Sequence, residues 1–328
     1  MAATTLGEMS GSVRHAQDKE KWDRTGWCVL ESVVPDGELA AAQGDLHRFF
    51  PSAAEFASDL DREDFLPLRT GSDAVLPRFP FDSDAINSLV VHDVLIDLAE
   101  EFLETRDLRI YQGLLSAKYS HGAPDYEQLL HADYGNHTLV VPRPDVGYQQ
   151  LEMFVYLSDV SPETAATRVV SRELTSGIPV ERTYLSFEEY PHLYAAEEPA
   201  SGSAGSVLLY RPDTYHRGVA LTAPASARFM LHVSFKPAGT DWLGYQAWPS
   251  AAESMAWHRL VPRLSVRQLC ALGFPGPGDG YWTEETLAGV SARYPHLDLT
   301  PWREAHGASS DDVGASPQGS PPTPVRTS

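Results

Sequence analysis

With 328 residues, 42% of them hydrophobic and 10% aromatic, the chain can bury a large core and is too apolar to be disordered. Its net charge of -20 repels polyanions and speaks against nucleic acid or an anionic membrane surface as a partner, leaving room only for a local basic pocket. Two cysteines, Cys28 and Cys270, are too few for a disulfide framework or a Cys-rich zinc site and read as free thiols of a reducing compartment.

The first 17 residues are small and polar, carry no apolar signal-peptide core and are expected to be disordered. No stretch approaches the apolar length that a bilayer requires, and a soluble cytoplasmic protein is expected. From residue 22, "WDRTGWCVLESVVPDGELAAAQGDLHRFF" gives a short strand, a Pro-Asp turn and a helix. Asp36 is placed to cap that helix, and Leu39, Ala42, Leu46 and Phe49 fall on one face. "VVHDVLIDLAEEFLE" predicts a second helix with Leu95, Leu98 and Phe102 as its stripe. From about residue 106 the period becomes two. "RDLRIYQGLLSAKYS", "YEQLLHADY", "QQLEMFVYLSDV", "ATRVVSREL", "GSVLLYRP" and "ARFMLHVSF" are short β-rich runs separated by turn residues, the texture of an antiparallel sandwich or barrel.

After Pro237 helical texture returns. Ser265 and Gln268 form a capping-box pattern before an apolar run, and Thr283 precedes an acidic first turn. The aromatic-rich "DWLGYQAWPSAAESMAW" and "GDGYW" suit either a lid or the core of these helices, and the core is favoured. Residues 307–328 are a Gly/Ser/Pro tail expected to be disordered. The expected organisation is mainly β with flanking α: one domain over 18–306, with a β core at about 106–237 between helical flanks at 18–105 and 238–306.

One stretch of the β block breaks its apolar run. "LLHADYGNH", residues 129–137, sets His131 and Asp133 two apart, hence on one face of a strand, before a Gly-Asn turn. The same spacing recurs at His296 and Asp298, but there in helical and loop texture with no strand to follow. Downstream, "LLYRPDTYHRGVALTAPASARFMLHVSF" offers His216 after a strand and a Pro-Asp turn, then Arg228 at the start of the next strand. Two imidazoles and one carboxylate form a facial triad for iron(II), which leaves positions open to a co-substrate; a structural zinc site would need a fourth protein ligand. A 2-oxo acid chelating such a metal needs a cation for its far carboxylate. Arg228, 12 residues after His216, suits that role through its planar fork. Alternation puts Phe229, Leu231, Val233 and Phe235 on one face and Arg228, Met230, His232 and Ser234 on the other. That second face belongs to solvent or to a polar interior, and the interior is favoured. His232 competes with His216 as third ligand, but no Arg or Lys follows it at a comparable distance. His137, beyond the Gly135-Asn136 turn, is read as pocket-lining or structural.

Together these features resemble the phytanoyl-CoA dioxygenase (PhyH) family of iron(II)- and 2-oxoglutarate-dependent oxygenases, over roughly residues 18–302. "WDRTGWCVLESVVPDGELA" is similar to the family's opening strand, turn and helix. "LHADY" is similar to the strand carrying its first two metal ligands, and "GSVLLYRPDTYHRGVAL" to the strand pair leading to the third. "LGFPGPGDGYW" and "RYPHLDLTPW" resemble the closing segment of some bacterial members. The resemblance implies a double-stranded β-helix, the jelly roll also seen in cupins. It implies His131, Asp133 and His216 as iron ligands, Arg228 as the clamp on the distal carboxylate of 2-oxoglutarate, and Gln112 and Lys118 near that co-substrate. It further implies Fe(II), 2-oxoglutarate and O2 acting on a small-molecule substrate, with hydroxylation of an aliphatic C–H and release of succinate and CO2.

Where many members carry a Gly-rich turn and a Pro-Gly-Ser-His stretch, this chain has "SPETAATRVVSRELTSG", residues 161–177, a loop expected to line the substrate pocket. Asp133 stands where related halogenases have a small residue, so the resemblance points to hydroxylation. The alternatives are a metal-dependent cupin-type isomerase, which needs no arginine clamp, and a non-catalytic jelly-roll binding protein. No Ser-His-Asp or Cys-His set and no Gly-rich phosphate loop suggests another chemistry.

Overall fold

The period-two segments become strands. The computed structural model describes residues 14–70, 76–120, 127–140, 149–179 and 182–313, and the chain divides into two units, Met1–Leu260 and Val261–Ser328. In the first unit the strands are β1 (Trp27–Leu30), β2 (Leu108–Tyr119), β3 (Leu130–His131), β4 (Leu151–Tyr156), β5 (Arg168–Val169), β6 (Tyr184–Leu185), β7 (Glu198–Pro199), β8 (Val207–Tyr210), β9 (His216–Arg217) and β10 (Ala227–Pro237). They form two five-stranded antiparallel sheets, in the orders β1-β8-β4-β10-β2 and β6-β3-β9-β5-β7. The chain shuttles between the sheets so that sequence neighbours seldom pair, which is the jelly roll expected. Strands of four to twelve residues build the first sheet. The second is assembled from two-residue strands too short to leave a period in the sequence.

Alternation decides what each face of the first sheet meets. On β10, Leu231, Val233 and Phe235 are fully buried on one face. The helix Asp93–Leu103 packs against β4 and β10, burying Leu95, Ile96, Leu98, Ala99, Phe102 and Leu103. Each large apolar side chain in that set contributes about 2 kcal/mol. The other face of the sheet looks toward the second sheet. Trp27, Phe154, Tyr156, Leu208 and Met230 meet Val169 and Ala200 there, and the polar residues of β2 and β10 surround an open space. One irregularity sits in this face. Ser234 pairs with Gln112 but Phe235 pairs with Ile110, so Tyr111 has no partner on β10. The extra residue is a β-bulge, which lets Tyr111 and Gln112 both serve the inner side.

Three boundaries differ from expectation. The helix Asp36–Asp45 is capped by Pro35, with no side-chain cap bond. Asp36 is therefore its first helical residue, an acid in the first turn facing the helix dipole. At the N-terminus the helix Ala16–Thr25 starts inside the stretch expected to be loose, and residues 1–13 lie outside the described residues. In the second unit the helix Thr300–Val313 runs into the expected tail, of which residues 314–328 lie outside the described residues.

That second unit holds two further helices, Val266–Ala271 and Glu284–Arg293, each opened by a capping box, on Ser265 with Gln268 and on Thr283 with Thr286. The indoles of Trp282 and Trp302 both donate to the Pro275 carbonyl, at 3.2 and 2.9 Å. His296 and Asp298 are exposed here, and Asp298 accepts the Thr300 N–H at 2.9 Å. Among the described residues no helix is long and apolar enough to cross a membrane.

Candidate metal centre

His131, Asp133 and His216 come together. His131 closes β3 and His216 opens β9, and the two are paired directly across the sheet. Asp133 lies beyond the end of β3, so strand alternation does not place it. Its N–H donates to Pro212 O at 2.9 Å, which fixes the turn before the short helix Tyr134–His137. Each imidazole is held by its own chain: Nδ1 of His131 bonds Leu129 O at 2.9 Å, and Nδ1 of His216 bonds Thr214 O at 3.0 Å. A carbonyl only accepts, so both Nδ1 atoms carry the proton and both Nε2 lone pairs are free. Those Nε2 atoms stand 3.7 Å from Asp133 Oδ1 and 3.6 Å from Asp133 Oδ2. One ligand atom from each of the three residues lies within 4.8 Å of the others. That spacing would let the three side chains share one cation.

The charges suit a divalent metal. Burial pushes the Asp133 carboxyl up, but His216, His137, His131 and the Tyr210 hydroxyl, which donates to Oδ2 at 2.7 Å, outweigh it and hold it at about 2. Burial pushes the His216 imidazole below its ordinary value, against the pull of Asp133. The result is an ionised carboxylate beside a neutral imidazole, the protonation states that ligation requires.

The three residues line one wall of a cavity of about 630 Å³ between the sheets, within the size range of small-molecule sites. Arg228, Lys118 and Gln112 line it too, as do His232 and His137. The inward face inferred for Arg228 is therefore the one observed. Arg228 and Lys118 are cross-strand partners on β10 and β2. Nη1 of Arg228 donates to Ala165 O, while its buried Nε has no hydrogen-bond partner among the described residues. Burial lowers the guanidinium to about 10, still charged at neutral pH. Such an unspent donor on a cavity wall is what a ligand carboxylate would satisfy. Lys118 donates to Val219 O. His232 bonds Ser116 Oγ through Nε2 at 2.8 Å and lies outside the metal-spaced cluster, which favours His216 over it. Burial pushes His232 down to about 3.

A polar row crosses the first sheet in register, from Gln112 on β2 through Ser234 on β10 and Glu152 on β4 to Tyr210 on β8. Ser234 Oγ lies 2.5 Å from Gln112 Oε1 and donates to Glu152, and Tyr210 carries the row on to Asp133. Glu152 is 2% exposed and also accepts from Tyr111, with His137 Nδ1 at 3.3 Å. None of Glu152, Tyr111 and Tyr210 was singled out by sequence reasoning. A signal for Glu152 was present: it is the one carboxylate in the apolar run Leu151–Tyr156. The loop 161–177 also differs from expectation. Of its residues only Thr167 lines the cavity, and its main contribution is the Ala165 carbonyl that anchors Arg228. In the aromatic-rich stretch Trp248 and Trp257 are core, as favoured, whereas Tyr245 lines the cavity.

The sequence pattern of the family described as phytanoyl-CoA dioxygenase (PhyH) matches residues 22–229, well over half of the chain. The chain belongs to this family. As a PhyH member it is an iron- and 2-oxoglutarate-dependent enzyme. Among solved structures it is similar to AviO1 from Streptomyces viridochromogenes Tue57, at 18% identity and a TM-score of 0.50 over 71% of this chain and 100% of that one. It is also similar to HygX from Streptomyces hygroscopicus with nickel and 2-oxoglutarate bound, at 18% identity and 0.48 over 70% and 95%. A third is the epimerase SnoN in complex with Fe3+, alpha ketoglutarate and nogalamycin RO, at 16% and 0.48 over 68% and 83%. At these identities the likeness is one of fold. No curated protein matches the chain.

Proposed function

We propose that this PhyH member is a hydroxylase, oxidising an aliphatic C–H of a small molecule with release of succinate and CO2. His131, Asp133 and His216 hold Fe(II), and Arg228 binds the distal carboxylate of 2-oxoglutarate with Lys118 beside it and Gln112 on the same wall. The observation that carries the reading is the meeting of two imidazoles and a carboxylate within 4.8 Å, on the wall of a cavity also lined by an arginine whose buried Nε is unpaired among the described residues.

Bound iron supplies the oxidising chemistry, fed by O2 and the oxidative decarboxylation of 2-oxoglutarate. The chain supplies orientation and dryness. The Leu129 and Thr214 carbonyls aim the two Nε2 atoms, and Tyr210 steadies Asp133. Leu114, Phe154 and Met230 keep the inner wall apolar around the reacting carbon. Asp133 occupies the position that a halide would need, which favours hydroxyl transfer. A CoA thioester fits poorly: with Lys118 and Arg228 engaged by 2-oxoglutarate, Arg69 is the remaining Lys or Arg on the described cavity wall, and it already lies 3.9 Å from Asp61.

The test is incubation of the iron(II)-loaded protein with 2-oxoglutarate, O2 and a panel of small metabolites, following succinate and substrate mass. Succinate formed together with a product heavier by one oxygen supports the proposal. Succinate with a product of unchanged mass, or lighter by two hydrogens, refutes hydroxylation and leaves the enzyme class intact.

A further inference from the structure

The cavity contains an imidazole that neither metal nor co-substrate uses. His137 lies one helical turn after Asp133, is 4% exposed and lines the cavity. Its ring packs against Tyr245 at 5.0 Å and edge-on to Tyr111 at 5.7 Å. Nδ1 faces two oxygens, Glu152 Oε1 at 3.3 Å and Tyr111 Oη at 3.1 Å.

The proton count settles the tautomer. Tyr111 has one hydroxyl proton and gives it to Glu152; its oxygen also accepts from Gln150 Nε2 at 2.9 Å. Both oxygens before Nδ1 are therefore acceptors, and Nδ1 must carry the hydrogen. In the neutral ring the lone pair is then on Nε2, which has no protein partner among the described residues and belongs to a ring on the cavity wall; against the effect of burial, Glu152 and Asp133 raise this imidazole above its ordinary value. Such rigid support exceeds what a packing residue needs. Glu152 is buried, and Tyr111, Ser234 and His137 together supply the hydrogen bonds that offset the cost of burying a carboxylate. So held, it fixes the direction of one imidazole nitrogen.

We propose that His137, held from behind by Glu152, is a substrate-positioning residue and that the substrate carries a hydroxyl group which donates to Nε2. This rests on the hydroxylase reading above. A hydroxyl is the group that suits the ring in either protonation state, since it donates to the neutral ring and accepts from the protonated one. A carboxylate would need the protonated ring and an ammonium the neutral one.

The test uses the full chain with 15N-labelled histidine, loaded with zinc(II) and 2-oxoglutarate so that no turnover occurs. The probes are cyclic alcohols and diols, each paired with its O-methyl ether, which cannot donate. The expected result is that the alcohols shift the His137 Nε2 resonance and bind roughly tenfold tighter than their ethers, the worth of one hydrogen bond. His137→Phe removes that preference, and His137→Gln restores part of it. Alcohols and ethers acting alike, no alcohol shifting the resonance at saturating concentration, or a preference surviving in His137→Phe would each overturn the proposal. Binding of 2-oxoglutarate separates the two readings. Its loss in the wild-type protein sinks the hydroxylase reading, whereas its retention without an alcohol preference sinks only the role of His137.

Discussion

Replacing Arg228 with Gln tests the proposed co-substrate clamp. The guanidinium has five N–H donors; one goes to the Ala165 carbonyl, and Nε, buried, has no partner. A carboxylate gripped by two of the remaining donors gains about 1.5 kcal/mol from each charge-assisted bond, so the substitution costs about 3 kcal/mol. That is a rise in Kd of roughly a hundredfold. Lys118, the cross-strand partner, stays in place and keeps binding from vanishing. Calorimetric titration of 2-oxoglutarate into the metal-loaded variant reads this loss, and iron(II) affinity measured without 2-oxoglutarate is expected to stay at the wild-type value. Equal loss of both affinities, or an unchanged affinity for 2-oxoglutarate, refutes the assignment.

Three further outcomes are expected. His216→Ala loses stoichiometric iron(II) by metal analysis while His232→Ala keeps it, because only the former belongs to the metal-spaced cluster. Burial holds the His232 ring at about 3 when folded, against about 6.5 in the unfolded chain, so the unfolded state binds the extra proton first. Its contribution is full above about pH 6.5 and drains away as pH falls toward 3, reaching about 2 kcal/mol lost at pH 5. Urea midpoints of wild type and His232→Asn across that window measure it, and equal slopes would contradict it. Gly113→Ala brings a Cβ to 2.7 Å from Phe79 Cβ and 3.3 Å from Val90 Cγ1, a clash inside the sheet worth about 1–3 kcal/mol. Its urea midpoint falls; an unchanged midpoint would mean that β2 shifts freely.

The residues show why some of this was legible and some was not. β2 and β10 are long enough for alternation to declare itself, and on β10 it turned Arg228, Met230 and His232 to the side on which the structure places them. β6, β7 and β9 are two residues each, below the reach of any period, and their pairing depends on partners distant in the chain. His131 was singled out through its strand, but Asp133 belongs to a turn, so the pair was reached partly through the wrong geometry. Asp36 was read as a cap because the residue type fits, although Pro35 takes the place. The Tyr111–His137–Glu152 cluster joins residues up to 41 positions apart, and Tyr111 reaches it from a bulge, which reverses the side that simple alternation would assign.

The pairing of β3 with β9 has a consequence of its own. The ladder there is a single residue from each strand, His131 opposite His216, and it is the seam between β6-β3 and β9-β5-β7. Iron held by those same two rings, as proposed, would act as a rivet through the thinnest point of the sheet. Cofactor loading and the cohesion of that half of the barrel would then be one equilibrium, and chelation would loosen the wall as it silences the chemistry.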